Sequence, residues 1–442
     1  MTVTASRLGS SPIMLDWSNL VRVSTGTGFK TELATNSKEW ADAWGKLKAR
    51  FETNEIGFYN APIAPELSQV RETEAMVQEL LKRNQFTDCL FLGIGGSALG
   101  PISLLSSLQE KCGPKIRFHF TENPDPVEWR ATISRLSPDR TLVCAVTKSG
   151  TTFETVAQML AALEWLGKSR YQSHFLAITD PARGDLKAFA TKEGIPTLHI
   201  APSIGGRFSI FSPVGLFPAA FAGLSVSDFL AGAKQVRDFV EKTPIEKNPL
   251  FILGDELIQQ GSRRTVHVCM PYSTRLRLIG DWFVQLWGES LGKDGKGFTP
   301  VAAVGATDQH SILQLLRDGP DDKVTLFMVV DQVEDEVKIP RINFGPGHPS
   351  YASFKLLEGH TLHELLQTEY RATSQVLTKQ GRPNVTMRLD RLDERAMGAL
   401  YFAFSVLTAF TGTLMRINPF DQPGVEEGKI YTREALSSGS RE

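Results

Sequence analysis

From about residue 85, apolar and polar positions along the chain settle into an alternation. The compact apolar runs "CLFLGIGG", "KIRFHFT", "RTLVCAVT", "HFLAITD" and "PTLHIA" are each separated from the next by a stretch of helical length. Short apolar runs of this kind predict buried strands, and strands alternating with helices predict a doubly wound parallel sheet. The rhythm breaks at "SIGGRFSIFSPVG", after which three helices are predicted, at Pro213 to Leu224, Val226 to Glu241 and Asn248 to Gln260. A second α/β round opens at "TVHVCMP", passes through a long helix ending near Leu286, and includes the strands "KVTLFMVV" and "NVTMRLD". The end of the chain reads as helical, with a polar break "NPFDQPG" ahead of a last helix beginning near Gly424. The expectation is therefore an α/β protein of two doubly wound parallel-sheet units, residues 51–212 and 213–442, the second ending in a helical segment. Residues 1–50 form a separate amino-terminal segment whose start reads as a loose tail.

Length and composition agree with two units, because 442 residues at 41% hydrophobic exceed one ordinary core. Lysine plus arginine (48) nearly balances aspartate plus glutamate (49), which argues against a nucleic-acid or anionic-membrane partner. Any anion must be bound locally. Cys89, Cys112, Cys144 and Cys269 lack metal-type spacing and read as reduced thiols of a cytoplasmic protein. The beginning of the sequence shows no signal-peptide pattern. Ala396 to Met415 carries no charge and is long enough to span a bilayer, but its glycines, serine and threonines favour a buried core helix.

Ligands of open α/β sheets bind beyond the carboxyl ends of the strands, so the loops there carry the chemistry. In "LFLGIGGSALG", Gly93, Gly95 and Ala98 fit a weak dinucleotide fingerprint, but the supporting acidic residue expected about twenty positions on falls in the stretch "SSLQEKCGP", and Glu122 comes nearer thirty. A phosphate or sugar loop, with Ser97 adding a hydroxyl, and a purely structural turn are the alternatives. In "VTKSGTTFET", Thr147, Lys148, Ser149, Gly150, Thr151 and Thr152 join a buried strand to an amphipathic helix. One hydroxyl there would be an ordinary N-cap; several, with a glycine, point to a phosphate held at the helix N-terminus. "GESLGK" is one residue short of a Walker loop.

Arg207 follows two glycines in "GGRFS", a setting that can aim a guanidinium into a cleft, although solvated arginines are common. Gln285 and Glu289 share a helical face if the helix continues that far, beside Trp282 and Trp287. A carboxylate in an apolar wall suits a general base, whereas a helix-end glutamate in solvent is the bland reading. His310 alone is more often structural. His360 and His363 match no zinc pattern, so no metal is assigned. Gln422, Glu426 and Lys429 fall together in "FDQPGVEEGK".

In this order, "GIGGSALG", "TKSGTTFET", "GGRFSIFSPVG", "QLWGESLGK", "DQH" and "FDQPGVEEGK" resemble the glucose-6-phosphate isomerase family in its shorter bacterial form, from about residue 90 to 430. The resemblance implies two flavodoxin-like sugar-isomerase (SIS) domains. It also implies interconversion of glucose 6-phosphate and fructose 6-phosphate without metal or organic cofactor. Residue by residue, it makes Thr147, Lys148, Ser149 and Thr152 the phosphate site with Ser97 nearby, Glu289 the base with Gln285 beside it, and Arg207 the partner of the enediolate. His310 and Lys429 would open the sugar ring, and Glu154 and Gln422 would contact the substrate. Thr147 stands where a serine is expected, but a hydroxyl is retained. The histidine would come from the neighbouring subunit of a homodimer with shared sites. Three rivals remain at this point: a dual phosphoglucose/phosphomannose isomerase, a non-catalytic phosphosugar-binding module, and, more distantly, a Rossmann dehydrogenase.

Overall fold

The computed structural model describes residues 4–21, 37–345, 349 and 351–438. It opens with an antiparallel hairpin of β1 (Ala5–Arg7) and β2 (Ile13–Asp16). A first sheet follows, built from β3 (Asp88–Leu92), β4 (Arg117–Thr121), β5 (Thr141–Val146), β6 (Phe175–Thr179) and β7 (Thr197–His199). All five run parallel, in the order β4-β3-β5-β6-β7. Every residue of β3, β5 and β6 is buried, as expected of parallel strands covered by helices on both faces.

The second sheet contains β8 (Val266–Pro271), β9 (Thr299–Ala302), β10 (Lys323–Gln332) and β11 (Asn384–Arg391). These four are parallel, and the order β1-β2-β11-β10-β8-β9 adds the amino-terminal hairpin antiparallel to β11. From Ala5 onward the amino terminus is thus not the loose tail expected. Its strands are too short to show a period, and their partner lies hundreds of residues away. Residues 1–3 and 22–36 of the segment 1–50 lie outside the described residues. The short β9 was also missed, because Pro300 and a half-exposed pattern disguise it; proline is tolerated there because the strand is at an edge.

Two features position the site. In the first sheet the chain steps from β3 outward to β4 and then back across to β5, so the strand order reverses between β3 and β5. The carboxyl ends of those two strands therefore frame a crevice. Into it leans the helix Arg277–Leu291 from the second unit, which packs against the helix Leu99–Ser107 of the first. This helix runs past the Leu286 end expected from sequence. Gly288 weakens helix propensity without stopping it, and the cap falls at Gly292, whose N–H donates to Gly288 O at 2.9 Å. The helix Glu394–Leu414, long and apolar enough to cross a membrane, is buried almost throughout and forms the central pillar of the core.

Candidate active site

At the switch point lies a cleft of about 780 Å³. Its walls bring together Ser97, Thr147, Lys148, Ser149, Thr152, Glu154, Arg207, Gln285, Glu289, Gln422 and Lys429. Of the residues given a role by the resemblance, His310 alone does not line it. His310 sits exposed in the turn Thr307–His310 beyond β9, so one chain does not bring it to the others.

The turn after β5 does not make the ordinary side-chain cap. Thr152 occupies the N-cap of the helix Phe153–Leu166 but makes no side-chain cap hydrogen bond. Its hydroxyl instead lies 2.8 Å from that of Thr147 and 3.4 Å from that of Ser149, and Thr147 and Ser149 are 3.4 Å apart. The result is a triangle of hydroxyls beside first-turn N–H groups that Thr152 leaves uncapped. Such a nest suits a phosphate. The turn is tight against its neighbour: Gly150 and Gly184 both have positive φ, and a Cβ on Gly184 would come within 2.3 Å of Ser149 O.

Lys148 reaches away from the triangle, donating to Pro202 O at 2.7 Å and Ile204 O at 2.8 Å. Burial lowers its pKa, with Asp180 opposing. Its backbone belongs to the cradle, while its ammonium ties the cradle to the 202–204 loop.

The glycine turn after β3 presses on the opposite wall. A Cβ on Gly96 would meet Gly206 C at 2.3 Å and Arg207 N at 2.6 Å, so glycine is needed for two backbones to touch. This contact fixes Arg207. The residue is 3% exposed and its guanidinium is held from several sides: Nε donates to Ser290 Oγ at 2.7 Å, Nη2 to Pro419 O at 2.7 Å and Asp421 O at 2.9 Å, and Nη1 to Gln422 Oε1 at 3.1 Å. Burial pulls its pKa down, while Glu289 and Asp421 pull the other way.

Nη1 also faces Glu289 Oε2 at 3.5 Å. The same oxygen accepts from Gln285 Nε2 at 3.2 Å, one turn back along the helix. The expected apolar wall around Glu289 is therefore not what surrounds it. Trp287 points into the core on the opposite face and Trp282, two turns back, is buried against Tyr401, while a guanidinium and an amide face the carboxylate. Lys429, exposed on the helix Glu426–Ser437, pairs with Glu426 at 2.7 Å at the rim.

Asp180 and Arg183 also line the cleft and were missed, although Asp180 is the first residue past the carboxyl end of β6 and could have been found by that rule. Among the described residues no group of three or more His, Cys, Asp or Glu side chains could hold a metal.

A carboxylate and a fixed cation facing a cluster of hydroxyls across a switch-point crevice form an arrangement suited to an α/β enzyme of phosphosugar chemistry. The chain matches the Phosphoglucose isomerase family over residues 81–441. It is 41% identical over 434 residues to a glucose-6-phosphate isomerase of Rubrobacter xylanophilus, covering 95% of this chain and 97% of that one. Among solved structures, a hypothetical protein of Thermus thermophilus aligns with TM-score 0.86 at 34% identity, over 96% of this chain and all of that one. A glucose-6-phosphate isomerase of Chlamydia trachomatis shares the fold, with TM-score 0.77 at 22% identity over 99% of this chain and 90% of that one. The chain belongs to the phosphoglucose isomerase family.

Proposed function

We propose that this chain interconverts glucose 6-phosphate and fructose 6-phosphate by moving one proton between C2 and C1 through a cis-enediol intermediate. The observation that carries this reading is the placement of Glu289 and Arg207 opposite the hydroxyl triangle of Thr147, Ser149 and Thr152. The cradle, with Ser97, holds the phosphate, and that remote binding energy sets the carbonyl end of the sugar against the helix.

Glu289 takes the proton from the carbon beside the carbonyl and returns it to the neighbouring carbon, so the carboxylate is regenerated each cycle. Negative charge gathers meanwhile on the enediol oxygens, where Arg207 is already fixed and needs no reorganisation. Gln285, Gln422 and Glu154 contact the sugar hydroxyls. Lys429 and His310 move protons between the ring oxygen and the C1 hydroxyl to open the ring. Because His310 stands away from its own cleft, we assign it to the cleft of a second copy, in a homodimer with shared sites. Proton transfer between neighbouring carbons asks for no metal or organic cofactor. The domain limits 51–212 and 213–442 belong to the same proposal, with β1 and β2 joined to the second. The buried apolar helix and the unpaired thiols support a cytoplasmic setting.

Exchange of the C1 proton of fructose 6-phosphate with solvent, followed by NMR in D2O, tests the reading. Wild-type protein should catalyse it, and Glu289→Gln should lose about a hundredfold or more, the range general-base catalysis supplies. Full exchange by that variant would remove Glu289 from the role.

A further inference from the structure

The lysine of the near-Walker string "GESLGK" takes no part in the chemistry above, yet it is nearly buried, its side chain only 10% exposed. Lys293 lies just past the end of the helix that carries Glu289, where a cation also favours the helix dipole. Its ammonium is 2.8 Å from Asp421 Oδ1 and donates to Asn418 O. Asp421 Oδ2 in turn accepts from Asn418 Nδ2 at 2.6 Å. Three residues on, Lys296 donates to Met415 O at 2.9 Å. Both lysines thus reach from the loop after the Glu289 helix onto one short turn, residues 415–421, which leads directly into Gln422. Arg207 holds the same turn from inside the cleft, through Pro419 O and Asp421 O.

We infer that Lys293 is a positioning residue: through Asp421 it locks the turn that carries Gln422 to the helix that carries Glu289, so that both supports of Arg207 Nη1 keep a fixed separation. The inference rests on the roles proposed for Glu289 and Arg207. It gives the pair Lys293–Asp421 no contact with substrate. Losing it leaves the phosphate cradle, on the other wall, untouched. The damage falls chiefly on the step in which Arg207 meets developing charge, and therefore more on turnover than on substrate binding, to which Gln422 adds one contact among several.

The test uses full-length Lys293→Met, Lys293→Arg and the charge exchange Lys293→Asp/Asp421→Lys, with Glu289→Gln alongside. Lys293→Met should keep KM within about threefold and lose kcat by about tenfold to a hundredfold, as a displaced catalytic array does. Its affinity for a phosphorylated aldonic acid, a mimic of the enediolate, should fall more than its affinity for inorganic phosphate. Lys293→Arg, and in part the charge exchange, should restore kcat. Unchanged kcat in Lys293→Met overturns the inference, as does an equal loss of affinity for the mimic and for phosphate, which would mark a general loss of structure. An active Glu289→Gln would instead overturn the reading of the site itself, so the two failures are distinguishable.

Discussion

Arg207 and Glu289 meet at 3.5 Å with unequal freedom: the arginine side chain is 2% exposed and the glutamate 25%. The cation is held by two parts of the chain, the helix at Ser290 and the turn at Pro419 and Asp421, whereas among the described residues the carboxylate is held by Arg207 and Gln285 alone. In the proposed mechanism the less restrained member of the pair is the one that reaches two carbons in turn, and the fixed member is the one that meets developing charge.

Replacing Arg207 by lysine keeps a charge but cannot satisfy Ser290, Pro419, Asp421 and Gln422 at once. We expect kcat to fall by about a hundredfold to a thousandfold, the loss typical of a missing oxyanion partner. Thermal stability should drop as well, since buried acceptors lose donors at about 1–3 kcal/mol each. Steady-state kinetics with a melting curve checks both.

Thr152→Val removes one corner of the hydroxyl triangle while preserving shape. A hydrogen bond to a charged phosphate contributes about 1.5–3 kcal/mol, so KM and the inhibition constant for inorganic phosphate should both rise by roughly tenfold or more, with kcat nearly unchanged. A large fall in kcat at constant KM would contradict the anchoring role.

Two separately inactive variants test the shared site. If His310 serves the neighbouring cleft, Glu289→Gln and His310→Ala subunits dissociated together and reassociated form hybrid dimers with one whole site. Half the dimers being hybrids, activity should recover to about a quarter of the wild-type rate. No recovery would place His310 in its own chain's cleft or outside catalysis.

Glu256, on the helix Pro249–Gln260, is 7% exposed, and burial, with Asp255 beside it, raises its pKa from 4.5 to about 7. A carboxyl whose folded pKa lies above its unfolded value stabilises the folded state only while protonated. Its penalty sets in above pH 4.5, grows as pH rises, and is complete above about 7, where it is on the order of 3 kcal/mol. Glu256→Gln should therefore melt higher than wild type at pH 8 and at the same temperature at pH 4. Equal shifts at both pH values would show that ionisation is not the cause.

The strands of the first sheet and the β5 turn were legible because each is a local pattern: an apolar run, then hydroxyls, then an amphipathic helix. The hydroxyl triangle of Thr147, Ser149 and Thr152 is contained in six consecutive residues, so spacing alone located it. The environment of Glu289 was not legible. Neighbouring tryptophans suggested an apolar wall, but helical rotation turns Trp287 to the opposite face and Trp282, two turns back, packs on Tyr401, while Glu289 meets Arg207 from another part of the chain. Lys293 escaped notice for the same reason, since its partner Asp421 is 128 positions away, from 293 to 421. The β1–β2 hairpin failed most completely: strands of three and four residues acquire a reason to exist only beside β11.

That pairing has a consequence for how the chain is made. Leu15 matches Met387 in register, so when the ribosome has delivered the whole first sheet, the strand destined for the second still has nothing to join. The first sheet can close during translation, with local connections. The second must await the arrival of β11. Throughout that interval Ile13 and Leu15, which end up 0% and 1% exposed, remain uncovered on the nascent polypeptide. The last lobe to be synthesised is thus also the one that takes up the amino-terminal hairpin.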